Sequence, residues 1–138
     1  MRYLLDTNTC IRFINGRAPN IRKKMLTIDA GQIAISTIVQ AEMYAGSAKS
    51  QFSVKSRAIQ EEFFKRFILI PFDSKAARIY GDIRASLEIK GTPIGGNDLL
   101  IAATAIANDL ILVTHNIDEF KRIRDLRIED WEANEIEP

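Results

Sequence analysis

The 138-residue chain contains one cysteine, one histidine, one tryptophan and four prolines. A single cysteine excludes an intramolecular disulfide and suits a reducing compartment. A single histidine excludes a zinc site built on paired imidazoles. Long apolar runs are missing as well. Asp6 interrupts the N-terminal run Tyr3-Leu4-Leu5, which argues against a signal peptide, and no stretch approaches the length of a membrane span. The expected location is therefore cytoplasmic, with no membrane partner. Neither sign of charge is in excess, the net being +1, but that balance conceals an asymmetry. Residues 1–124 carry 18 basic and 12 acidic side chains, whereas residues 125–138 carry 1 and 6. The body is moderately basic, compatible with a polyanionic partner, and the acidic end over residues 132–138 reads as a solvated tail. What is present, 46% apolar and 27% charged residues, describes one globular domain, assigned to residues 1–131.

Short apolar runs alternate with amphipathic ones. Strands are expected at 2–5, 32–36, 67–71 and 110–114, with an edge strand at 126–128. The first helix runs through Cys10, Ile11 and Phe13 to Asn15-Gly16, and a second over 19–28 turns Ile21, Met25 and Leu26 inward. A third begins at Ser36-Thr37 and ends at Gly46, leaving 47–50 as a loop. Helices at 53–67 (Ile59, Phe63 and Phe64 inward) and 74–90 follow, and a central, nearly all-apolar one occupies 97–107. This alternation implies an α/β fold with a short, mostly parallel central sheet and helices on both faces. Sites in such sheets lie at the carboxyl ends of the strands, at a topological switch point. Asp6 closes the first strand, and Asn116 follows the strand at 110–114.

Three acids stand out. Asp98 lies at the mouth of the central helix behind Gly95-Gly96-Asn97, with Asn97 suited to the N-cap. Glu42 falls on a helical wheel among Ile38, Val39, Ala41, Met43 and Ala45, where an ionised carboxylate is costly without a compensating partner. Asp6 ends a buried strand. Taken singly, Asp6 and Asp98 are also read as helix caps, and Glu42 as snorkelling to the surface or as one half of a buried ion pair. Taken together they come from three separate elements and point to the same region. Two carboxylates about 4 Å apart repel by roughly 4 kcal/mol at an effective dielectric near 20, so such a group calls for a cation. All-oxygen ligation points to Mg²⁺, with Mn²⁺ as the other candidate.

These residues resemble the PIN-domain ribonucleases, specifically the VapC-type toxins of toxin–antitoxin pairs. The likeness spans the chain. It rests on Leu4-Leu5-Asp6-Thr7-Asn8, Ala41-Glu42-Met43-Tyr44-Ala45-Gly46, Lys90 to Asp98 with Ile101-Ala102-Ala103, Leu112 to Asn116 with Phe120, and Leu126 to Trp131. The resemblance implies a single PIN-like domain with Asp6 and Asp98 as metal ligands and Glu42 as a further ligand or base. It places Asn116 where family members often carry a fourth acid, with Asp118 as the substitute if the loop turns inward. Thr7 and Thr114 are expected to orient the carboxylates, and Arg12, Arg17, Lys90 and Lys121 to contact RNA phosphates. The implied activity is Mg²⁺-dependent cleavage of a structured RNA, at a tRNA or ribosomal RNA loop, by metal-activated water. The implied partners are a VapB-type antitoxin, seated on the helices within 7–28 and 53–67, and a second copy of the chain. Competing readings are a phosphoaspartyl phosphatase or receiver domain, and a PIN-like binding module without catalysis.

Overall fold

The computed structural model describes residues 1–133. The tail residues 134–138 lie outside the described residues; Glu132, expected in a solvated tail, is instead held against Arg12 by the Asp130 turn, its side chain 17% exposed. Five strands, β1 (Tyr3–Leu5), β2 (Ile33–Ser36), β3 (Ile68–Ile70), β4 (Ile111–Val113) and β5 (Ile128–Glu129), form one sheet in the order β3-β2-β1-β4-β5, with every pairing parallel. Leu4 sits beside Ala34 on one side and Leu112 on the other, and all three are fully buried. Strands this apolar belong in a sheet covered on both faces.

The chain steps outward from β1 to β2 to β3, then returns across the sheet to place β4 on the other side of β1. The switch point therefore lies between β1 and β4, and Asp6 and Thr114 are the residues that leave those two strands. The outward steps carry α1 (Thr7–Asn15), α2 (Pro19–Leu26), α3 (Thr37–Lys49) and α4 (Ser53–Phe64). The return carries α5 (Ser74–Ile89) and α6 (Gly96–Ala107), and α7 (Ile117–Phe120) follows β4. Right-handed crossovers place the outward and return connections on opposite faces. In agreement, α1, α2, α3 and α4 pack among themselves, and α5 packs chiefly on α6. Helix α6 is buried nearly all round, as its composition predicts. Because α6 leads into the start of β4, its own start lies at the carboxyl edge of the sheet, and that is where Asp98 sits.

Several local expectations are corrected. Gly46 lies inside α3, which continues to Lys49 because Ser47 is buried and its hydroxyl bonds the Tyr44 carbonyl and accepts from Arg57. The buried stripe of α3 is Val39, Met43 and Ser47. Ala41 and Ala45 face solvent, so Glu42 stands at the border of the apolar face instead of its centre. Leu26 is 81% exposed and Ile59 46% exposed, so the buried faces of α2 and α4 are narrower than their periodicity suggests. The cap of α6 is Gly95, two residues earlier than expected, which puts Asn97 in the first turn, exposed to solvent. Gly16, by contrast, closes α1 at φ +67° as a C-terminal glycine should, its N–H turned back to the Phe13 carbonyl.

Candidate active site

Asp6 is buried, 5% exposed, and its backbone N–H bonds the Val113 carbonyl at 3.0 Å, which stitches the end of β1 to the end of β4. The carboxylate caps α1 by accepting the Thr9 N–H at 2.8 Å. Burial pushes the Asp6 carboxyl up from its ordinary range. Hydrogen bonds from the Thr114 and Thr9 side chains and the Thr9 N–H oppose the shift, while the charge of Glu42 adds to it. Thr9 also reaches the Val113 carbonyl with its hydroxyl, at 3.3 Å. Glu42 is half-buried, and its Oε1 accepts the Thr7 hydroxyl at 2.7 Å. Thr7 therefore orients Glu42, and Thr114 bears on Asp6.

Asp98, in the first turn of α6, titrates near 6. Burial raises it most, followed by the charges of Glu119, Asp6 and Glu42. A helix N-terminus favours a carboxylate, so the upward shift means that desolvation and like charge outweigh the dipole. No Lys or Arg among the described residues forms an ion pair with Asp6, Glu42, Asp98 or Glu119. Four acids from four elements thus repel one another across one site with no protein cation to offset them.

Asn116 follows β4 with its backbone N–H on the Thr114 hydroxyl at 3.0 Å. Its amide nitrogen donates to Glu119 Oε2 at 2.9 Å, and Glu119 Oε1 accepts the Gly95 N–H at 3.1 Å. A carboxylate accepts only, so this bond fixes the amide orientation and leaves the Asn116 oxygen available as an acceptor. Glu119 joins the end of β4 to the start of α6 and faces Asp98, a position the sequence analysis does not assign to it. A signal was present: Asn116-Ile117-Asp118-Glu119 has the cap-to-third-residue spacing that brings two such side chains together. Asp118, held above as the substitute, points away with its side chain 93% exposed and pairs with Lys121 at 3.3 Å. One residue along so short a helix turns a side chain by about 100°.

The basic residues divide. Arg12 and Arg17 line a cleft with Asp6, Asn8, His115 and Asn116. Lys90 caps α5 and lines a different cleft, with Arg122 and Arg124, because α5 packs along α6 and carries its end away from Asp6. Lys121 is taken up by Asp118 on the solvent side of α7. His115 meets Asp130 at 2.9 Å, and this bond raises its pKa. Cys10 is fully buried, with burial holding the thiol well above its ordinary pKa, as befits a core residue.

The residues also bear on whether a metal ion fits. Among the described residues no three Asp, Glu, His or Cys side chains stand close enough to form a ready ligand cage. The donor set nevertheless suits a hard divalent cation: carboxylates and one amide oxygen, no soft ligand, and uncompensated mutual repulsion.

A doubly wound parallel sheet with an acidic site at its switch point defines a class of α/β protein in which carboxylates from separate elements converge on one edge. The PIN domain family profile matches residues 3–126. The chain is 43% identical to Ribonuclease VapC2 of Rickettsia felis over 133 residues, covering 96% of this chain and 99% of that one. It is 39% identical to the tRNA(fMet)-specific endonuclease VapC of Salmonella typhimurium, covering 95% and 98%. Among solved structures it matches DNA-bound VapBC from Salmonella typhimurium with a TM-score of 0.90 at 39% identity, covering 95% of this chain and 98% of that one. The Rickettsia felis VapBC2 complex with a promoter DNA fragment matches with a TM-score of 0.89 at 42% identity, covering 95% and 99%. The chain belongs to the PIN-domain family, among its VapC-type ribonucleases. No helix among the described residues is long and apolar enough to cross a membrane.

Proposed function

We propose that this protein is a Mg²⁺-dependent endoribonuclease toxin that cuts a structured RNA and is held inactive by a VapB-type antitoxin. The observation that carries this reading is the mutual charge of Asp6, Glu42, Asp98 and Glu119, with which no Lys or Arg among the described residues forms an ion pair. Asp6 and Asp98 would hold the ion, with Glu42, Glu119 and the Asn116 oxygen arranged around it. A bound Mg²⁺ supplies charge compensation for the scissile phosphate and a lowered pKa for water.

The remaining chemistry falls to the chain. Glu42, oriented by Thr7, accepts the proton of the attacking water. The water oxygen forms the new bond to phosphorus as the bond to the 3′ oxygen breaks in line with it, and the departing oxyanion takes a proton from solvent, leaving 5′-phosphate and 3′-hydroxyl ends. Unpaired loops are where sequence-specific RNA recognition concentrates, and the name of the Salmonella relative makes tRNA(fMet) the first substrate to test.

Control follows from the same residues. A carboxylate group without a cation is a ready receptor for an inserted guanidinium, and the solved relatives are toxin–antitoxin complexes. A groove of about 490 Å³ between α1, α2 and α4, lined by Phe13, Ile14, Ile59 and Phe63 and rimmed by Arg22 and Arg66, is the seat we assign to the antitoxin. Its exposed Ile59 is the apolar anchor missing from the core. Pairing with a second copy of the chain belongs to the same reading.

The test is cleavage of tRNA(fMet) by the purified protein, with and without EDTA, beside Asp98→Asn. Chelation and the substitution should each reduce cleavage by at least about a hundredfold, with Mg²⁺ restoring only the chelated wild type. Undiminished cutting by Asp98→Asn in EDTA overturns the proposal.

A further inference from the structure

We propose that the cleft beside Asp6 seats one nucleotide of the RNA strand, and that Glu132 occupies the place of its phosphate on Arg12 until the strand arrives. The proposal rests on the ribonuclease reading and extends it to how the strand is held. The cleft measures about 540 Å³, within the size range of small-ligand sites. Asp6, Asn116, Arg12, Arg17 and Glu132 all line it, and α1 runs along it from Asp6 at its cap to Arg12 in its last turn, with Arg17 just beyond its end. A phosphate held at the arginines thus places the neighbouring phosphodiester toward the acids.

The donors are available. Arg12 Nε meets Glu132 Oε1 as an ion pair, yet the contact lacks hydrogen-bond alignment. Neither Arg12 nor Arg17 donates a side-chain hydrogen bond to any described residue. A guanidinium offers a planar fork of five N–H groups that matches a phosphate in two-point fashion. Arg12 therefore has its charge balanced but its hydrogen bonds unspent. Phosphate satisfies both, whereas Glu132 as placed satisfies one.

Glu132 is displaceable because other groups hold its segment. Asp130 Oδ1 accepts the N–H groups of Glu132 and Ala133 at 2.9 and 3.2 Å, and Asp130 Oδ2 meets His115. The Asn20 amide donates to the Glu132 and Ala133 carbonyls at 3.5 and 3.3 Å. Trp131 packs edge-on against Tyr3, ring centroids 5.0 Å apart. The Glu132 side chain can leave Arg12 while its backbone stays where it is. The carboxylate then acts as a tethered competitor, keeping weakly held anions off Arg12 and yielding to a strand that makes several contacts at once.

The experiment measures binding apart from cleavage. A 5′-fluorescein-labelled 12-nucleotide single-stranded RNA is titrated in EDTA, by fluorescence anisotropy, with wild type, Glu132→Gln, Arg12→Ala and the double variant. Removing the competitor should tighten binding about three- to fivefold, the reach of an ion pair at the protein surface whose Arg12 side stays partly in solvent. Arg12→Ala should weaken it about tenfold and lower the salt slope by about 0.7. The double variant should match Arg12→Ala, because without Arg12 the Glu132 carboxylate has no phosphate position to occupy. Arg12→Lys, which keeps charge without the fork, should fall between wild type and Arg12→Ala, and melting curves confirm folding. Unchanged or weaker binding by Glu132→Gln overturns the proposal, as does a Glu132 effect that persists without Arg12 or an absence of binding by all variants. Binding with this pattern but no cleavage on adding Mg²⁺ refutes the ribonuclease reading while leaving the cleft assignment standing.

Discussion

At Asp6 one carboxylate ends β1, caps α1 and faces the other acids of the site. The first two duties need only a hydrogen-bond acceptor at that position; the last needs charge. Asparagine is as good an N-cap as aspartate, so Asp6→Asn should keep the fold close to wild-type stability, whereas Asp6→Ala should lose about 1 kcal/mol. Both should abolish the proposed Mg²⁺-dependent cleavage. Denaturant melts read beside RNA cleavage separate the cap from the charge, and equal destabilisation by the two substitutions would show that the cap contributes nothing. The cap was legible in Asp6-Thr7-Asn8, and so was the suspicion of chemistry. Which neighbours tune it was not: Thr114 is 108 positions away and reaches Asp6 only because β4 lies beside β1.

Among the elements, α4 departs furthest from its sequence reading. Periodicity places Ile59 with Phe63 and Phe64 on one inward face, but the two phenylalanines are buried and Ile59 is not. A helical wheel gives direction about one axis and says nothing of how far the neighbouring elements extend. Here residues of α1 and α2 line, together with Ile59, a groove with an apolar floor and basic rims. Ile59→Glu should therefore leave the melting temperature within the range of a surface change while preventing co-purification with a VapB-type antitoxin. Retention of the complex by a folded Ile59→Glu protein would move the antitoxin off this groove. At the other end of the sheet, α7 shows the same limit. Asn116 was correctly placed after β4, but a four-residue helix decides that Glu119 and not Asp118 turns toward Asp98.

For the molecule as a whole, the repulsion among the acids links folding to pH and to the proposed metal. Asp98 titrates near 6 in the folded protein against an ordinary 3.8, because burial and the neighbouring acids oppose its charge. Between those values the folded state holds the proton that the unfolded chain releases, so this group's contribution to stability falls as pH rises from about 4 to about 6. Below that window the group makes no difference. The metal-free protein should accordingly gain stability from Asp98→Asn at pH 7 and none at pH 3.5. Mg²⁺ requires the ionised carboxylate, so its stabilising effect should be strong at pH 7 and fade as pH falls through 6. Thermal melts with and without Mg²⁺ across pH 4–8 check both signs, and a Mg²⁺ shift independent of pH would exclude Asp98 as a ligand.

The sequence by itself determined the alternation of strands and helices, the buried character of α6 and the three acids that do not belong to a core, because hydrophobic period and local capping are written in neighbouring residues. Tertiary structure decided the rest: the return across the sheet that sets β4 beside β1, the turn of α7 that presents Glu119, and the laying of Glu132 against Arg12. Those outcomes depend on contacts between residues far apart in the chain, whose free energy exists only once the elements have packed.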